Sequence, residues 1–341
     1  MTYCAIVPPY LLQTLQQYED ADLADCATRA LELDAQHRAH RSTSPLQAES
    51  AATSPHRSIY DAGHAETLPG SLVREEGAAA TDDGAVNHAY DHLGAAWKFY
   101  YEVYERDSLN GHGLPLVATV HYGQRYDNAF WNGEQMVFGD GDGTVFTSFT
   151  GPVDITAHEL THGVTQYTAK LAAKDQAGAL NESISDVFGV LTKQHALGQT
   201  ADEADWIVGE GLFAPGINGK GLRSLAAPGT AYDDPKIGKD PQPATMDDYV
   251  ETSEDNGGVH TNSGIPNHAF YLAATELGGH AWERAGLAWY QVLTAGAIPH
   301  DSDFATFAQA TIDRAHQLGG NVGNAVRSAW EQVKVLPGRA S

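Results

Sequence analysis

The five residues His158-Glu159-Leu160-Thr161-His162 are the part of this sequence best suited to chemistry. On a helix, positions i and i+4 share a face, so both imidazoles can reach one metal ion. Glu159, one residue past the first imidazole, is suited to take a proton from a water held there. So short a pattern also arises by chance on solvated helices, so it needs support from elsewhere in the chain. Glu182 offers a third ligand, 20 positions past His162, in Asn181–Asp186 (N-E-S-I-S-D). Two imidazoles, a carboxylate and a water form a catalytic zinc set. Asp186 is i+4 from Glu182 and can accept the outer N–H of a ligating imidazole, with His158 the candidate. The plainer reading of Glu182 is a surface carboxylate.

Two other stretches fit the same chemistry. In Asp255–His260 (D-N-G-G-V-H) a histidine follows two glycines in an expected loop, where functional polar residues concentrate. His260 can donate to the charged oxygen of a tetrahedral intermediate, with Asp255 orienting it. Among 16 histidines, a lone loop histidine is otherwise a surface residue. Asn128–Gly133 (N-A-F-W-N-G) reads as a strand, and an exposed strand edge can pair with an extended peptide. A core strand ending in a turn would look the same.

The elements that must position these residues can be traced from the N-terminus. Asp20 or Asp22 can cap a helix over DADLADCATRALELDAQHRAHR. Residues 42–55 are rich in Ser, Ala and Pro without periodicity and read as a linker. Short strands and turns are expected over IYDAGHAETLPGSLVREEG. A long amphipathic helix follows, with Ala85, Ala89, Leu93, Ala96, Phe99 and Val103 on one face. PLVATVHYGQRYDNAFWNGEQMVFGDG alternates as strands do. From Val153 the apolar pattern is mostly helical, with long polar loops over 213–262. The segments are 1–50 (pro-segment and linker), 51–165 (β-rich, including the metal helix) and 166–341 (helical).

Together these residues resemble the thermolysin family of metallopeptidases. The resemblance runs from about Ile59 to Val335, through LPGSLVREEG, VHYGQRYDNAFWNGEQMVFGDGDG, HELTHGVTQY, GALNESISDVFG and NGGVHTNSGIPNHAFY. It implies an α+β, two-lobed fold with a β-rich N-terminal lobe, a helical C-terminal lobe and the cleft between them. It implies zinc on His158, His162 and Glu182, Glu159 as general base and then acid, and His260 on the oxyanion with Asp255 behind it. Asp186 would support a ligand. Asn128 and the Ala129 backbone would bind the peptide main chain, and Arg223 the carbonyl beside the primary pocket. Phe146, Phe149, Ile155, Val208, Leu212 and Leu222 match that pocket's walls. Their apolar character implies cleavage on the amino side of large hydrophobic residues. VPPYLLQTL resembles the short, Pro-Pro-containing propeptide of the protealysin subgroup. The first 50 residues would then be a helical propeptide, a cis inhibitor removed by the enzyme itself within the exposed linker.

Two positions depart from the family pattern. The tyrosine that helps the oxyanion histidine is replaced by Ala173. Loss of one oxyanion donor typically costs about 10²–10³ in rate. Asp154, Asp205 and Glu210 match ligands of a paired calcium site, but Lys193 replaces the bridging carboxylate. At most one calcium ion is expected there.

Composition narrows the partners. With 20 Lys+Arg against 44 Asp+Glu the net charge is -24, which disfavours nucleic acid and anionic membranes. Peptide or protein substrates and the chain's own propeptide are the expected partners, on a monomer. The two cysteines, Cys4 and Cys26, both lie in the first segment, excluding a disulfide scaffold or thiol enzyme. Cys4 could reach the zinc as a thiolate, though a small buried side chain is the simpler reading. The N-terminus lacks a basic n-region and its apolar run is broken at Pro8-Pro9. A cytoplasmic location or non-classical export is therefore expected. Two rivals remain: an inactive zinc-holding peptide binder, suggested by Ala173, and an aminopeptidase, for which no amine-binding acidic motif is visible.

Overall fold

The computed structural model describes residues 4–39 and 54–338. The expected linker lies almost wholly outside the described residues, as does the side chain of Cys4. The chain opens with strand β1 (Cys4–Ala5), helix α1 (Pro9–Gln16) and helix α2 (Ala21–Ala39). The sequence pattern marked α2 but not α1 or β1. α1 starts with Pro9 at its first position, where a missing N–H costs nothing, and it buries Leu11, Leu12 and Leu15. Of the two candidate caps on α2, Asp20 does the work: its Oδ1 accepts from the N–H groups of Asp22 (3.0 Å) and Leu23 (3.3 Å).

Strands β2 (Arg57–Asp61) and β3 (Ser71–Glu75) come next, then α3 (Gly84–Tyr104). Asp83 caps α3 by accepting from Ala85 and Val86, and Ala89, Leu93, Ala96 and Phe99 are buried along its inner face as their spacing requires. Strands β4 (Leu116–Val120), β5 (Ala129–Trp131) and β6 (Met136–Phe138) complete one six-stranded sheet in the order β1-β5-β6-β4-β2-β3. β1 pairs antiparallel with β5, with Cys4 opposite Trp131 and Ala5 opposite Phe130. The strand expected to receive an extended peptide is therefore paired with the chain's own N-terminus.

Two helices then carry the candidate site: α4 (Val153–Tyr167) and α5 (Asp175–Leu197). Asp154 to Thr165 of α4 and Ala177 to Gln194 of α5 are buried. A Cβ on Gly189 would lie 2.7 Å from Asp154 O, so glycine lets the two helices close up there. Beyond α5 the chain forms two short antiparallel pairs, β7 (Ile207–Val208) with β8 (Arg223–Ser224) and β9 (Asp233–Asp234) with β10 (Gly238–Lys239). The remainder is helical: α6 (Asp255–Asn262), α7 (Gly264–Leu277), α8 (Ala285–Thr294), α9 (Phe304–Gln317) and α10 (Val322–Gln332). Trp289, Trp330, Phe270 and Phe307 pack the centre of this lobe. Among the described residues no helix is long and apolar enough to cross a membrane.

α6 corrects the loop expected around His260. Asp255, Asn256, Gly257 and Gly258 all have positive φ, so the first half is a left-handed turn within the helical span. The two glycines take that conformation without a Cβ penalty, and His260 sits on the helical half that follows.

Candidate active site

α4 and α5 bring His158, His162 and Glu182 together, with one ligand atom from each lying within 4.8 Å of the others. The outer nitrogens of both rings are tied. His158 Nδ1 donates to Asp186 Oδ1 at 2.9 Å, and His162 Nδ1 to Asn181 Oδ1 at 3.0 Å. The Asn181 amide nitrogen donates to Leu171 O, which turns its oxygen toward the ring. This network leaves both inner nitrogens as acceptors, 3.1 Å apart, each 3.5 Å from a Glu182 oxygen. Two facing lone pairs and a carboxylate cannot satisfy one another, but they fit a cation. Burial, only partly offset by Glu182, pushes the His162 pKa down to about 4 and keeps the ring neutral as a ligand.

Glu159 lies beside this set and is fully buried. Its Oε2 accepts the Trp131 N–H at 2.8 Å, while Oε1 has no hydrogen-bond partner among the described residues. Burial first, and then the neighbouring Glu182, push its carboxyl well above the usual range. That suits a group which must take up and return a proton.

His260 is held by Asp255, which accepts from its Nδ1 at 2.8 Å and from its backbone N–H at 2.9 Å. Burial opposes a charge on the ring, but Asp255 and then Glu182 outweigh it and raise its pKa to about 9. Its Nε2 reaches the Ala5 carbonyl at 3.0 Å. Arg223 forms a bidentate pair with Asp186 (2.7 and 2.8 Å) and donates through Nη1 to Ile6 O at 3.0 Å. Burial alone would raise the Asp186 pKa, yet Arg223 and His158 hold it below the carboxylate range. Asp186 also accepts from Asn267 Nδ2 at 2.9 Å. The sequence marked Asp186 and Arg223 separately, but nothing in it showed that they pair.

The substrate-binding candidates face the N-terminal segment. Asn128 Oδ1 accepts the Val7 N–H at 2.9 Å, and Ala129 O accepts the Ile6 N–H at 3.0 Å. Buried Asp34, on α2, accepts from Asn128 Nδ2 at 2.9 Å and from the Tyr126 hydroxyl at 2.5 Å. Sequence reasoning missed Asp34, Asn181 and Ser185, whose hydroxyl lies 3.1 Å from His162 Nδ1. An aspartate among helix-surface acids gives no sign of its burial. Asn181 and Ser185 were visible only as neighbours of Glu182 on its helix.

All six apolar candidates are buried. Phe146 and Phe149 pack with ring centroids 5.6 Å apart, Val208 O accepts from Leu222, and Leu212 O accepts from Thr147. Ile155 and Leu222 meet over Gly209. At the expected calcium position, the Lys193 ammonium lies 2.8 Å from Asp205 Oδ1, 3.5 Å from Asp154 and 3.9 Å from Glu210, and donates to Ile207 O at 2.8 Å. These carboxylates already surround a fixed cation, so the residues do not fit a calcium ion there.

Two family models match the chain: the thermolysin metallopeptidase catalytic domain over residues 23–166 and the thermolysin metallopeptidase alpha-helical domain over residues 169–335. An extracellular metalloprotease of Pectobacterium carotovorum subsp. carotovorum is 49% identical over 334 residues, covering 97% of this chain and 96% of that protein. Protease PrtS of Photorhabdus sp. (strain Az29) is 48% identical over 342 residues, covering 98% and 92%. The solved precursor of protealysin, a metalloproteinase from Serratia proteamaculans, superposes with a TM-score of 0.92 at 53% identity, covering 98% of this chain and 100% of that one.

Proposed function

This chain belongs to the thermolysin family of zinc-dependent metalloendopeptidases, and we propose that it is a self-processing precursor whose N-terminal segment blocks its own cleft. The observation that carries this reading is β1 and the two residues after it lying along β5, with the Ala5 and Ile6 carbonyls on His260 and Arg223 and the Ile6 and Val7 amides on Ala129 and Asn128. We divide the chain as 1–50, 51–165 and 166–341, with the first part a cis inhibitor removed within the linker.

His158, His162 and Glu182 would hold the zinc, which when bound polarises a water and lowers its pKa. Glu159 takes the proton from that water and passes it to the leaving amine. His260, charged and aimed by Asp255, donates to the oxygen on which negative charge develops. Arg223 holds the next carbonyl, fixed in turn by Asp186. Asn128 and Ala129 align the main chain antiparallel to β5. The apolar walls from Phe146, Phe149, Ile155, Val208, Leu212 and Leu222 support preference for a large hydrophobic residue on the amino side of which cleavage occurs. The Pectobacterium relative is an extracellular metalloprotease, which supports export of this chain from the cell. No calcium ion is assigned to Asp154, Asp205 and Glu210.

The test is zinc content and casein cleavage of the matured wild type beside Glu159→Gln. The variant should keep its zinc and lose at least about 10² in turnover, the lower range for a general base. Full activity in Glu159→Gln would refute the assignment.

A further inference from the structure

The N-terminal strand occupies the cleft in the direction and register of a substrate. The Ala5 carbonyl is the one on His260 Nε2, at 3.0 Å, and that same nitrogen is 3.3 Å from Glu182 Oε2. The Ile6 carbonyl is the one on Arg223, the Ile6 N–H is on Ala129 O, and the Val7 N–H is on Asn128. Trp131, opposite Cys4, gives its N–H to Glu159 Oε2 at 2.8 Å, which brings the general base alongside the same stretch. Each contact matches one role in the proposed mechanism, and together they leave a single bond at the reacting position.

We infer that the enzyme hydrolyses its own Ala5–Ile6 bond, a cleavage distinct from the one in the linker, and sheds residues 1–5 while the rest of the segment stays docked. The inference rests on the peptidase reading above. Water adds through oxygen to the Ala5 carbonyl carbon, and Glu159 takes one of its protons. The carbon–nitrogen bond breaks and that proton goes to the Ile6 nitrogen. The second water proton leaves the new carboxyl for the freed nitrogen, so the products are a carboxylate at Ala5 and an ammonium at Ile6. A bond held against the catalytic groups in its own chain is cut without an encounter, so the rate does not depend on concentration.

The cut does not free the cleft. The contacts from Val7 onward lie beyond it: Asn128 on Val7, Asp34 on Asn128 and Tyr126, and the buried leucines of α1. Trimming is therefore a first step that leaves the precursor closed, and linker cleavage is the second. The trimmed piece carries away Cys4.

Intact-mass spectrometry of full-length, zinc-supplied protein over time, at several dilutions and beside Glu159→Gln, tests this. Casein cleavage is followed in the same samples. The wild type should lose residues 1–5 completely, at a dilution-independent rate and before casein cleavage rises, and Glu159→Gln should keep them. The N-terminus of the segment later released should be Ile6. A wild type that cleaves casein but releases a segment still bearing residues 1–5 overturns this inference and leaves the peptidase reading standing. A protein that cuts neither casein nor itself overturns both. Loss of residues 1–5 that slows with dilution, or that occurs in Glu159→Gln, assigns the cut to another molecule and also overturns it.

Discussion

In the proposed mechanism His260 carries the oxyanion without the phenol that the family places beside it. The place of the family's phenol is held by Ala173, which is buried and has no donor to offer. His260 Nε2 is already on the Ala5 carbonyl, and Asp255 fixes the ring from behind. His260→Ala should therefore lower kcat by about 10²–10³ with KM less affected, the usual cost of one lost oxyanion donor. Zinc content, measured by metal analysis of the same sample, should not change; a drop in zinc matching the drop in kcat would assign the ring to the metal instead. The two imidazoles and Glu159 were legible in the sequence because helix geometry converts a spacing of four into proximity. Asp34 was not, because a buried acid on an amphipathic helix is spelled like an exposed one.

At the scale of elements, Lys193 ties α5 to the segment leading into β7. It is largely buried among Asp205, Asp154 and Glu210, and these carboxylates outweigh the cost of its burial and raise its pKa. Wild-type Tm should be the same with added calcium and with a calcium chelator. Lys193→Glu should fall by roughly 3–5 kcal/mol without calcium, as broken buried pairs do, and recover when calcium is added. A wild type whose Tm rises strongly with calcium would contradict this. A second tie joins the end of β4 to the start of α3. His121 lies 2.8 Å from Asp140 and 2.8 Å from Asp83, and His64 is 3.4 Å from Asp140. The hydrogen bond of His121 to Asp140, opposed by burial and helped by Asp83, raises the His121 ring to about 9. A raised histidine adds stability that is complete below about 6.5 and lost as pH climbs through about 9. The unfolding free energy should fall over that window by an amount on the order of 2 kcal/mol, after allowing for solvent screening, and the Tm with it. His121→Gln should flatten the fall; an unchanged pH profile in that variant would place the titration elsewhere. Long elements such as α3, α4 and α5 were readable from their periodicity. β1 and α1 were not: a two-residue strand has no pattern, and Pro8-Pro9 hides a helix start as easily as a loop.

For the whole molecule, the two lobes follow from ordered matches spread along most of the chain, whereas the proposed closed state depends on a contact between its first described residues and β5. No local pattern encodes that contact. It becomes visible only when β5, which would be an edge strand without β1, is found paired with Cys4 and Ala5. The central claim, a blocked precursor that opens itself, is tested most directly by incubating purified full-length protein with and without a zinc chelator. Its mass and its cleavage of casein are followed together. Loss of roughly the first 50 residues, as an exposed linker allows, accompanied by rising casein cleavage that the chelator abolishes, is the predicted result. A mass that stays constant and casein that stays whole, with zinc shown to be bound, would contradict it and make the chain a metal-holding binder.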